Sequence, residues 1–314
     1  MKHTDKVYIA GHRGLAGSAI WRHLEKSGYS NLVGFPSSTL DFTHREDTRT
    51  ALREISPDVV IDAAARVGGI HANNTYPADF LSHNLQIQVN LMDAAHEAGV
   101  DRLLFLGSSC IYPKFAPQPI PESALLTGAL EETNEAYGIA KIAGILQVQA
   151  MRRQHSHAWI SAMPTNLYGP NDNYHPENSH VLAALIRKFH EAVTNGVDHV
   201  EIWGSGTPLR EFLHVEDLAS AVEFLLINYD DPQTINIGSG QEVSIQELAT
   251  VIADVVGFAG TIHNDPSRPD GTPRKMLDSS RLHNLGWTPS WTLRDGIHDA
   301  YRWFQENETS VRSL

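Results

Sequence analysis

Two short segments of the sequence carry the side chains of a carbonyl-reducing site. Tyr137 and Lys141 are four residues apart, so they share one face of a helix. An ammonium beside a phenol can lower the phenol's pKa from its usual value of about 10 toward neutral pH, which favours a proton donor. The hydroxyl of Ser108 follows an apolar run and can hold a substrate oxygen while hydride reaches the adjacent carbon. This combination favours hydride transfer to a carbonyl.

Cys110 lies two residues after Ser108 and is the only cysteine of the chain. Simple carbonyl reduction needs no thiol, so this position requires an explanation. A free cysteine is more often a small buried side chain than a reactive group. The residues alone therefore leave both interpretations of Cys110 open.

A glycine-rich turn near the start of the chain indicates a nucleotide site. It follows the apolar run 7–10 and opens a helical pattern. Glycines let the backbone approach a pyrophosphate, and the start of a helix offers N–H groups and partial positive charge. The cofactor-binding residues predicted in this turn are Gly11, His12, Arg13, Gly14, Leu15, Ala16 and Gly17.

The same region favours NADPH over NADH. Arg13 can pair with a 2′-phosphate, although the simpler interpretation is a solvated surface charge. The second predicted strand ends in Phe-Pro-Ser-Ser at 35–38, without the acidic residue that would hold the ribose of NAD. Asp41 follows later, and we interpret it as a contact on the adenine side or as a turn cap.

The elements that position these groups alternate between short apolar strands and helices. The predicted strands of the first half cover 7–10, 31–35, 59–63, 102–106 and 159–163, and its main helices cover 15–27, 77–98 and 134–155. Apolar strands in such alternation indicate a parallel sheet covered on both faces. The predicted fold class is α/β, a doubly wound, Rossmann-like parallel sheet with a smaller mixed C-terminal substrate lobe.

The pattern loosens after residue 164. Pro, Gly, Asn and Asp crowd 164–180 and again 265–273, which is typical of the loops of a smaller lobe. Helices are predicted at 179–195, 215–228 and 244–256, with strands at 200–203 and 234–237. We predict an NADP-binding domain over 1–165 and a mainly substrate-binding lobe over 166–314, with segments of about 200–240 returning to the first domain.

Composition argues against several classes of protein. The chain has 24 Lys and Arg against 37 Asp and Glu, a formal net charge of −13, whereas nucleic-acid and membrane-surface binders are typically basic. No apolar stretch approaches the roughly 20 residues of a membrane span, and a single cysteine allows no internal disulfide. The 17 histidines show no metal-ligand spacing, so no metal is expected. With no signal-peptide core at the start, we expect a cytoplasmic protein.

Longer segments of the sequence point to a particular family, more specifically than these generic patterns do. The chain resembles the extended short-chain dehydrogenase/reductase family and, within it, the GDP-L-fucose synthase family. The segments that carry this resemblance are 67–80, 108–114, 164–174, 179–181, 203–215 and 268–275. The resemblance implies NADPH-dependent conversion of GDP-4-keto-6-deoxy-D-mannose to GDP-L-fucose, by epimerisation at sugar positions 3 and 5 and reduction of the 4-keto group. It also implies a homodimer.

The resemblance also assigns roles to individual residues. It makes Cys110 the proton-abstracting thiol and His180 the partner that returns a proton, beside Tyr137, Lys141 and Ser108. The further cofactor contacts it implies are Leu106, Gly107, Ser108, Ser109, Lys141, Pro164, Thr165, Asn166, Leu167 and His180. The substrate contacts it implies are Lys188, Trp203, Arg210 and Asp270.

Two alternatives remain. Another nucleotide-sugar enzyme of the same fold, a 4-epimerase or a 4,6-dehydratase, would keep its NAD bound and return the hydride. Dehydratases typically carry an acid pair after the active-site hydroxyl, where this chain has Ser109 and Cys110. A catalytically inactive NADPH-binding protein is the second alternative, and the complete Ser108, Tyr137 and Lys141 set argues against it.

Overall fold

The structure is a computed structural model that describes residues 1–176, 178–268 and 270–310. Along most of the first half of the chain, apolar strands alternate with amphipathic helices. The strands are β1 (Val7–Ala10), β2 (Leu32–Val33), β3 (Val59–Asp62), β4 (Arg102–Leu106), β5 (Ala158–Pro164), β6 (Asn166–Tyr168), β7 (His199–Trp203), β8 (Leu209–His214), β9 (Ile235–Ile237), β10 (Glu242–Ser244), β11 (Thr261–Asp265) and β12 (Arg274–Lys275). The helices are α1 (Leu15–Lys26), α2 (Arg45–Ile55), α3 (Ile70–Thr75), α4 (Pro77–Glu97), α5 (Glu135–His155), α6 (Val181–Asn195), α7 (Val215–Asn228), α8 (Ile245–Val256), α9 (Ser280–Asn284) and α10 (Leu293–Asn307).

Within the described ranges, the main sheet has six parallel strands in the order β2-β1-β3-β4-β5-β9. Successive side chains of a strand point to opposite faces, and here both faces are apolar. In β1, Val7 and Ile9 pack into one core while Tyr8 and Ala10 pack into the other. The predicted α/β class with a doubly wound, Rossmann-like sheet is confirmed.

Helices cover both faces of this sheet. Side chains of α1 and α7 build one core, and side chains of α2, α4 and α5 build the other. Gly144 lets α5 approach the sheet closely, because an added Cβ would lie 2.4 Å from the Phe105 ring. Helix α7 and strand β9 come from the second half of the chain, so that half contributes to both lobes.

The smaller lobe is built around β8, which pairs with β6, β10 and β12. Strands β7 and β11 form a separate parallel pair, and α6, α8 and α10 supply most of a third apolar core. Glu211 lies fully buried in β8. Its carboxylate accepts hydrogen bonds from the backbone N–H groups of Gly240, at 2.8 Å, and Leu277, at 3.0 Å. This buried carboxylate ties β8 to the loops on either side.

The structure differs from the predicted elements at short strands and at three helices, α3, α9 and α10, that were not predicted. The strand expected over 31–35 covers only Leu32–Val33. Gly34 and Pro36 follow it, and both residues are unfavourable in strands. Strands β6, β8, β10, β11 and β12 were not predicted, because each is short or has mixed polarity. Across the ranges described here, no helix has both the length and the apolar character of a membrane span.

Candidate active site

The glycine-rich turn joins β1 to α1 and leaves room at the start of the helix. Gly11 has φ +78°, and a Cβ there would lie 2.7 Å from the Ala63 carbonyl oxygen. A Cβ on Gly17 would lie 2.2 Å from the Gly11 carbonyl oxygen. Among the described residues no side chain caps α1 and no acidic residue lies in its first turn. Backbone that only glycine tolerates, beside an uncapped helix start, fits the pyrophosphate of a dinucleotide.

The other side chains predicted on the nucleotide side are those of His12 and Arg13, within this turn, and of Asp41, which follows β2. The His12 ring packs against Gly34, where a Cβ would lie 2.7 Å from the ring. Arg13 is exposed. The Asp41 carboxylate accepts hydrogen bonds from the backbone N–H of Thr43, at 2.9 Å, and from its hydroxyl, at 2.8 Å. Asp41 therefore caps a turn, one of its two predicted roles, and its contact with adenine stays a prediction.

Ser108 and Tyr137 come together at the carboxyl end of β4. The Ser108 Oγ accepts a hydrogen bond of 3.2 Å from the Cys110 backbone N–H and caps the short 3₁₀ helix Ser109–Ile111. Tyr137 lies in the first turn of α5. Burial raises the pKa of the Tyr137 phenol well above its usual value, and a negative charge on Cys110 raises it further, while a hydrogen bond with Ser108 lowers it. The phenol thus remains protonated at neutral pH.

The expectation that Lys141 lowers the pKa of Tyr137 toward neutral pH is wrong for this structure. The Lys141 ammonium lies 5.9 Å from the centroid of the Tyr137 ring and donates its hydrogen bond, of 2.8 Å, to the Leu106 carbonyl. Lys141 is only 3% exposed, and burial lowers its own pKa to about 8. Desolvation is the largest cause of the pKa shifts of both side chains. Tyr137 is consequently a donor that keeps its proton until a stronger base forms on the substrate.

Asp62 is a buried charge of this site that the sequence analysis missed. It ends β3 in register with Phe105 of β4, and the Lys141 ammonium lies 4.7 Å from the centroid of the Phe105 ring. One carboxylate oxygen of Asp62 accepts a 3.2 Å hydrogen bond from the Ala64 backbone N–H, and the other has no partner among the described residues. Burial raises the pKa of Asp62 to about 6, against the opposing charge of Lys141. An acidic residue at the end of an apolar strand was the signal that could have identified it.

We expect Asp62→Asn to shift the alkaline limit of ketone reduction to lower pH. Burial holds the pKa of Lys141 at about 8, and the Asp62 carboxylate acts in the opposite direction by raising it. Removing that carboxylate lowers the Lys141 pKa further, so the ammonium is lost at a lower pH. The check is the pH profile of kcat/KM for reduction, with thermal unfolding as a control for folding. An unchanged alkaline limb would contradict this role of Asp62.

The remaining predicted cofactor residues line the ends of β4 and β5. The Leu106 carbonyl holds Lys141, and the Gly107 N–H donates a 2.9 Å hydrogen bond to the Ala162 carbonyl. Ser109 is buried. Pro164 ends β5, the Thr165 N–H donates to the Ile237 carbonyl at 3.0 Å, and the Asn166 amide donates to the Glu211 carbonyl at 2.7 Å. Leu167 follows in β6 and is half-buried. Their contacts with a cofactor stay predictions.

The sulfur of Cys110 accepts hydrogen bonds from two distant parts of the chain. The Asn134 amide and the Lys275 ammonium each donate to Sγ over 3.6 Å. Asn134 immediately precedes α5, and Lys275 lies in β12. Neither residue was identified from the sequence as part of the site, although Lys275 ends one of the segments that carry the resemblance.

His180 immediately precedes α6, at the end of a loop held by backbone contacts, and its side chain makes no capping hydrogen bond. The Gly69 N–H donates a 2.9 Å hydrogen bond to the Asn178 carbonyl, and a Cβ on Gly69 would lie 2.5 Å from the Ser179 carbonyl oxygen. His180 is exposed by its solvent-accessible area. Desolvation by nearby protein atoms nevertheless lowers the pKa of its imidazole, and the ammonium of Lys275 lowers it further. Lys275 therefore lies near both Cys110 and His180.

A second cluster in the smaller lobe presents an aromatic ring between two cations. Trp203 is 53% exposed, with the Lys188 ammonium 5.5 Å and the Arg268 guanidinium 5.0 Å from its ring centroid. Lys188 also donates a 3.1 Å hydrogen bond to the Glu201 carbonyl. An exposed indole beside cations can stack on a base or hold an anionic group. Arg268 is an additional member of this cluster that the sequence analysis did not single out.

Asp270 and Arg210 complete the cluster. The Asp270 carboxylate accepts hydrogen bonds from the Ser205 backbone N–H, at 2.6 Å, and hydroxyl, at 2.9 Å. The Arg210 guanidinium donates to the Leu209 carbonyl at 2.8 Å. Burial lowers the pKa of Arg210, and the carboxylates of Asp270 and Glu131 raise it in opposition. Local cations of this kind are what an acidic chain needs to hold an anionic ligand.

The chain is similar to known proteins over almost its whole length. The sequence model of the NAD dependent epimerase/dehydratase family matches residues 7–238. GDP-L-fucose synthase 1 of Arabidopsis thaliana is 61% identical over 97% of this chain and 94% of that protein. GDP-L-fucose synthase of Escherichia coli (strain K12) is 50% identical over 98% of this chain and 99% of that protein. The crystal structure of a GDP-L-fucose synthetase from Naegleria fowleri bound to NADP has a TM-score of 0.92 at 27% identity, covering 100% of this chain and 98% of that one.

Proposed function

The chain belongs to the NAD dependent epimerase/dehydratase family, and from this premise we propose that it converts GDP-4-keto-6-deoxy-D-mannose to GDP-L-fucose with NADPH. Curated GDP-L-fucose synthases of 50% to 61% identity support this activity. One observation carries the proposal from the structure: Cys110 contacts Ser108 through its backbone, lies near Tyr137, and accepts hydrogen bonds at its sulfur from Asn134 and Lys275. A plain ketone reductase has no use for such a thiol.

The substrate's own chemistry explains how one site serves two reaction types. A ketone at position 4 acidifies the C–H bonds at positions 3 and 5, so a base can remove either proton and leave an enolate. In the proposal Ser108 and Tyr137 donate hydrogen bonds to the oxygen at position 4; their proximity supports this, since the two side chains share a hydrogen bond. The same two donors stabilise the enolate during each inversion and the alkoxide during reduction.

Each inversion requires a base on one face of the sugar and an acid on the other. In the proposal Cys110 removes the proton and His180 supplies one to the opposite face. Each inversion is then neutral in protons overall, and solvent exchange returns both side chains to their starting states. Lys275 lies near both groups, which supports placing them around one substrate carbon.

Reduction of the ketone ends the sequence. NADPH, when bound, supplies the hydride to position 4. Tyr137 donates the proton that turns the oxygen at position 4 into a hydroxyl, and its raised pKa keeps that proton available at neutral pH. In the proposal the Lys141 ammonium, 5.9 Å from the centroid of the phenol ring, opposes the negative charge that the donation leaves, although burial outweighs its effect on the pKa of the resting phenol.

The proposed NADPH site uses the glycine turn, α1 and the ends of β4 and β5. The cradle at Gly11 and Gly17 accepts the pyrophosphate, and Arg13 takes the 2′-phosphate. The NADP-bound structure from Naegleria fowleri supports this cofactor. We also propose that Lys188, Trp203, Arg210 and Asp270 hold the GDP moiety. Trp203 offers a stacking surface, and the cations oppose the charge of the diphosphate.

We expect Arg13→Ala to weaken NADPH binding about tenfold or more while leaving NADH binding nearly unchanged, because a hydrogen bond to a charged phosphate is lost. Equilibrium titration with each cofactor measures both effects. Arg53→Ala, which removes an exposed arginine from α2, is the matched control and should bind both cofactors as before. Equal losses for NADPH and NADH would contradict the assignment, as would faster turnover of the unaltered protein with NADH.

Stoichiometry separates the proposal from its alternative, a nucleotide-sugar 4-epimerase or 4,6-dehydratase. A net reductase consumes one NADPH for each product, whereas enzymes that return the hydride consume none. Following NADPH oxidation against product formation decides between them. Product without NADPH consumption would overturn the proposal.

The homodimer and the cytoplasmic location expected from the sequence stay predictions. The long helices α4 and α5 pack side by side and carry exposed apolar residues, among them Val89, Ile139 and Leu146. A second copy could bury such residues across a two-fold axis. Sedimentation velocity of the purified chain measures the state directly, and a single monomeric species would refute the dimer.

A further inference from the structure

The surroundings of the Cys110 sulfur go beyond the function proposed above. Sγ accepts hydrogen bonds from the Asn134 amide and from the Lys275 ammonium, both over 3.6 Å. The two donors come from positions 24 and 165 residues away in the chain. A local turn cannot explain such convergence, so the fold itself brings two donors to one sulfur.

Lys275 is distinguished from the other cations of the same cleft by its lack of a carboxylate partner. Lys114 pairs with Glu131 at 3.0 Å, and Arg274 pairs with Glu242 at 2.8 Å. Among the described residues, no carboxylate lies within 4 Å of the Lys275 ammonium, and its hydrogen bond goes to the sulfur. A half-buried ammonium that faces a thiol instead of a carboxylate provides an unbalanced positive charge there.

Asn134 is the second hydrogen-bond donor to the Cys110 sulfur. Its side-chain amide donates to Sγ, while its buried Oδ1 has no partner among the described residues. An orphaned buried amide oxygen is destabilising, so the amide's hydrogen-bonding capacity is directed at the sulfur at some expense in stability. Both neighbours of Sγ are therefore donors, one of them charged.

The two protonation states of sulfur respond differently to such neighbours. A thiol is a weak acceptor, whereas a thiolate is an anion that accepts charge-assisted hydrogen bonds. An adjacent cation favours the thiolate, which is the form that can remove a proton. Tyr137 is the other titratable group whose charge interacts with Cys110, and its raised pKa keeps the phenol neutral. His180 lies near Lys275.

We propose that Lys275 and Asn134 are positioning residues that hold Cys110 as a thiolate, ready to act as the base. The inference rests on the proposed function for its purpose, though not for its chemistry. The thiolate takes a proton from the sugar carbon to become a thiol, and the electron pair of the broken C–H bond moves into the enolate. Lys275 keeps its proton throughout and acts through the sulfur.

Because the chain has one cysteine, alkylation by iodoacetamide reports on Cys110 alone. The rate of alkylation of the full-length protein, measured without substrate across a range of pH, gives a midpoint and a high-pH plateau. The midpoint follows ionisation of the thiol and the plateau follows its accessibility. A substitution that changes the ionisation of the thiol can therefore be distinguished from one that changes its accessibility.

For Lys275→Met we expect the midpoint to move to higher pH, with a rate about tenfold lower near neutral pH and an unchanged plateau. Lys275→Arg should restore most of the effect, and Asn134→Ala should move the midpoint less. Arg274→Met, which removes the neighbouring cation paired with Glu242, is the matched control and should leave the midpoint unchanged. If Lys275→Met does not fold, the same measurement is made on Lys275→Gln.

A midpoint in Lys275→Met equal to that of the unaltered protein would overturn the inference, whatever happens to the plateau. An equal shift in Arg274→Met would also overturn it, because the effect would then be a general one of net charge. This outcome is distinct from failure of the proposed function. If Cys110 is not the epimerisation base, hydrogen exchange in the substrate survives in Cys110→Ser, while the alkylation midpoints are unaffected by that result.

Discussion

Cys110→Ser is expected to lose epimerisation, with exchange of substrate hydrogen in deuterated water falling about 10²- to 10⁴-fold. A serine hydroxyl is far less acidic than a thiol, so no comparable anion forms at neutral pH. The hydrogen bonds from Asn134 and Lys275 then meet a neutral oxygen instead of a sulfur that can ionise. The measurement is the rate of deuterium incorporation at positions 3 and 5 of GDP-4-keto-6-deoxy-D-mannose, without NADPH.

The control for this variant is cofactor binding. Cys110 lies in the cleft with Lys275 and Asn134, and no residue of the glycine turn lines that cleft, so NADPH affinity should be retained. Unchanged deuterium incorporation at both positions would rule out the thiol as the base. Loss of NADPH binding together with exchange would indicate a folding defect instead.

Tyr137→Phe is expected to lose both chemical activities. Loss of the proton donor should lower the rate of NADPH oxidation about 10²- to 10⁴-fold, and loss of a hydrogen bond to the developing enolate should slow exchange as well. Single-turnover NADPH oxidation and deuterium incorporation measure the two effects on the same sample.

The contrast between the two variants is the informative result. Cys110→Ser loses exchange and retains the machinery of hydride transfer, whereas Tyr137→Phe impairs both reactions. The Phe ring preserves the packing against Phe80, whose ring centroid lies 6.5 Å away, so folding should be little affected. Undiminished NADPH oxidation in Tyr137→Phe would contradict the donor role.

The sequence predicted the main sheet well because its strands are nearly all apolar. Arg102–Leu106 appears at the expected bounds, and the glycine turn follows β1 as expected. The smaller lobe was harder, since short strands such as Arg274–Lys275 have polar residues and owe their existence to pairing with β8. Pairing between distant segments leaves no periodic pattern in the sequence.

The same limitation applies to the site. Cys110 and Tyr137 were identified by type and spacing, but the donors around the sulfur converge from positions far apart in the chain. The predicted lowering of the Tyr137 pKa failed because spacing reports neighbours and not burial, and desolvation dominates here. Asp62 went unnoticed for a related reason: its effect depends on lying close to Lys141, which is 79 positions away in the sequence.

The most direct test of the whole account is incubation of the protein with GDP-4-keto-6-deoxy-D-mannose and NADPH in deuterated water. The account predicts GDP-L-fucose that carries deuterium at sugar positions 3 and 5, formed with equimolar oxidation of NADPH. A reduced product without deuterium at these positions would contradict the epimerase role of the site. Deuterated sugar that keeps its 4-keto group, with no NADPH oxidised, would contradict the reductase role.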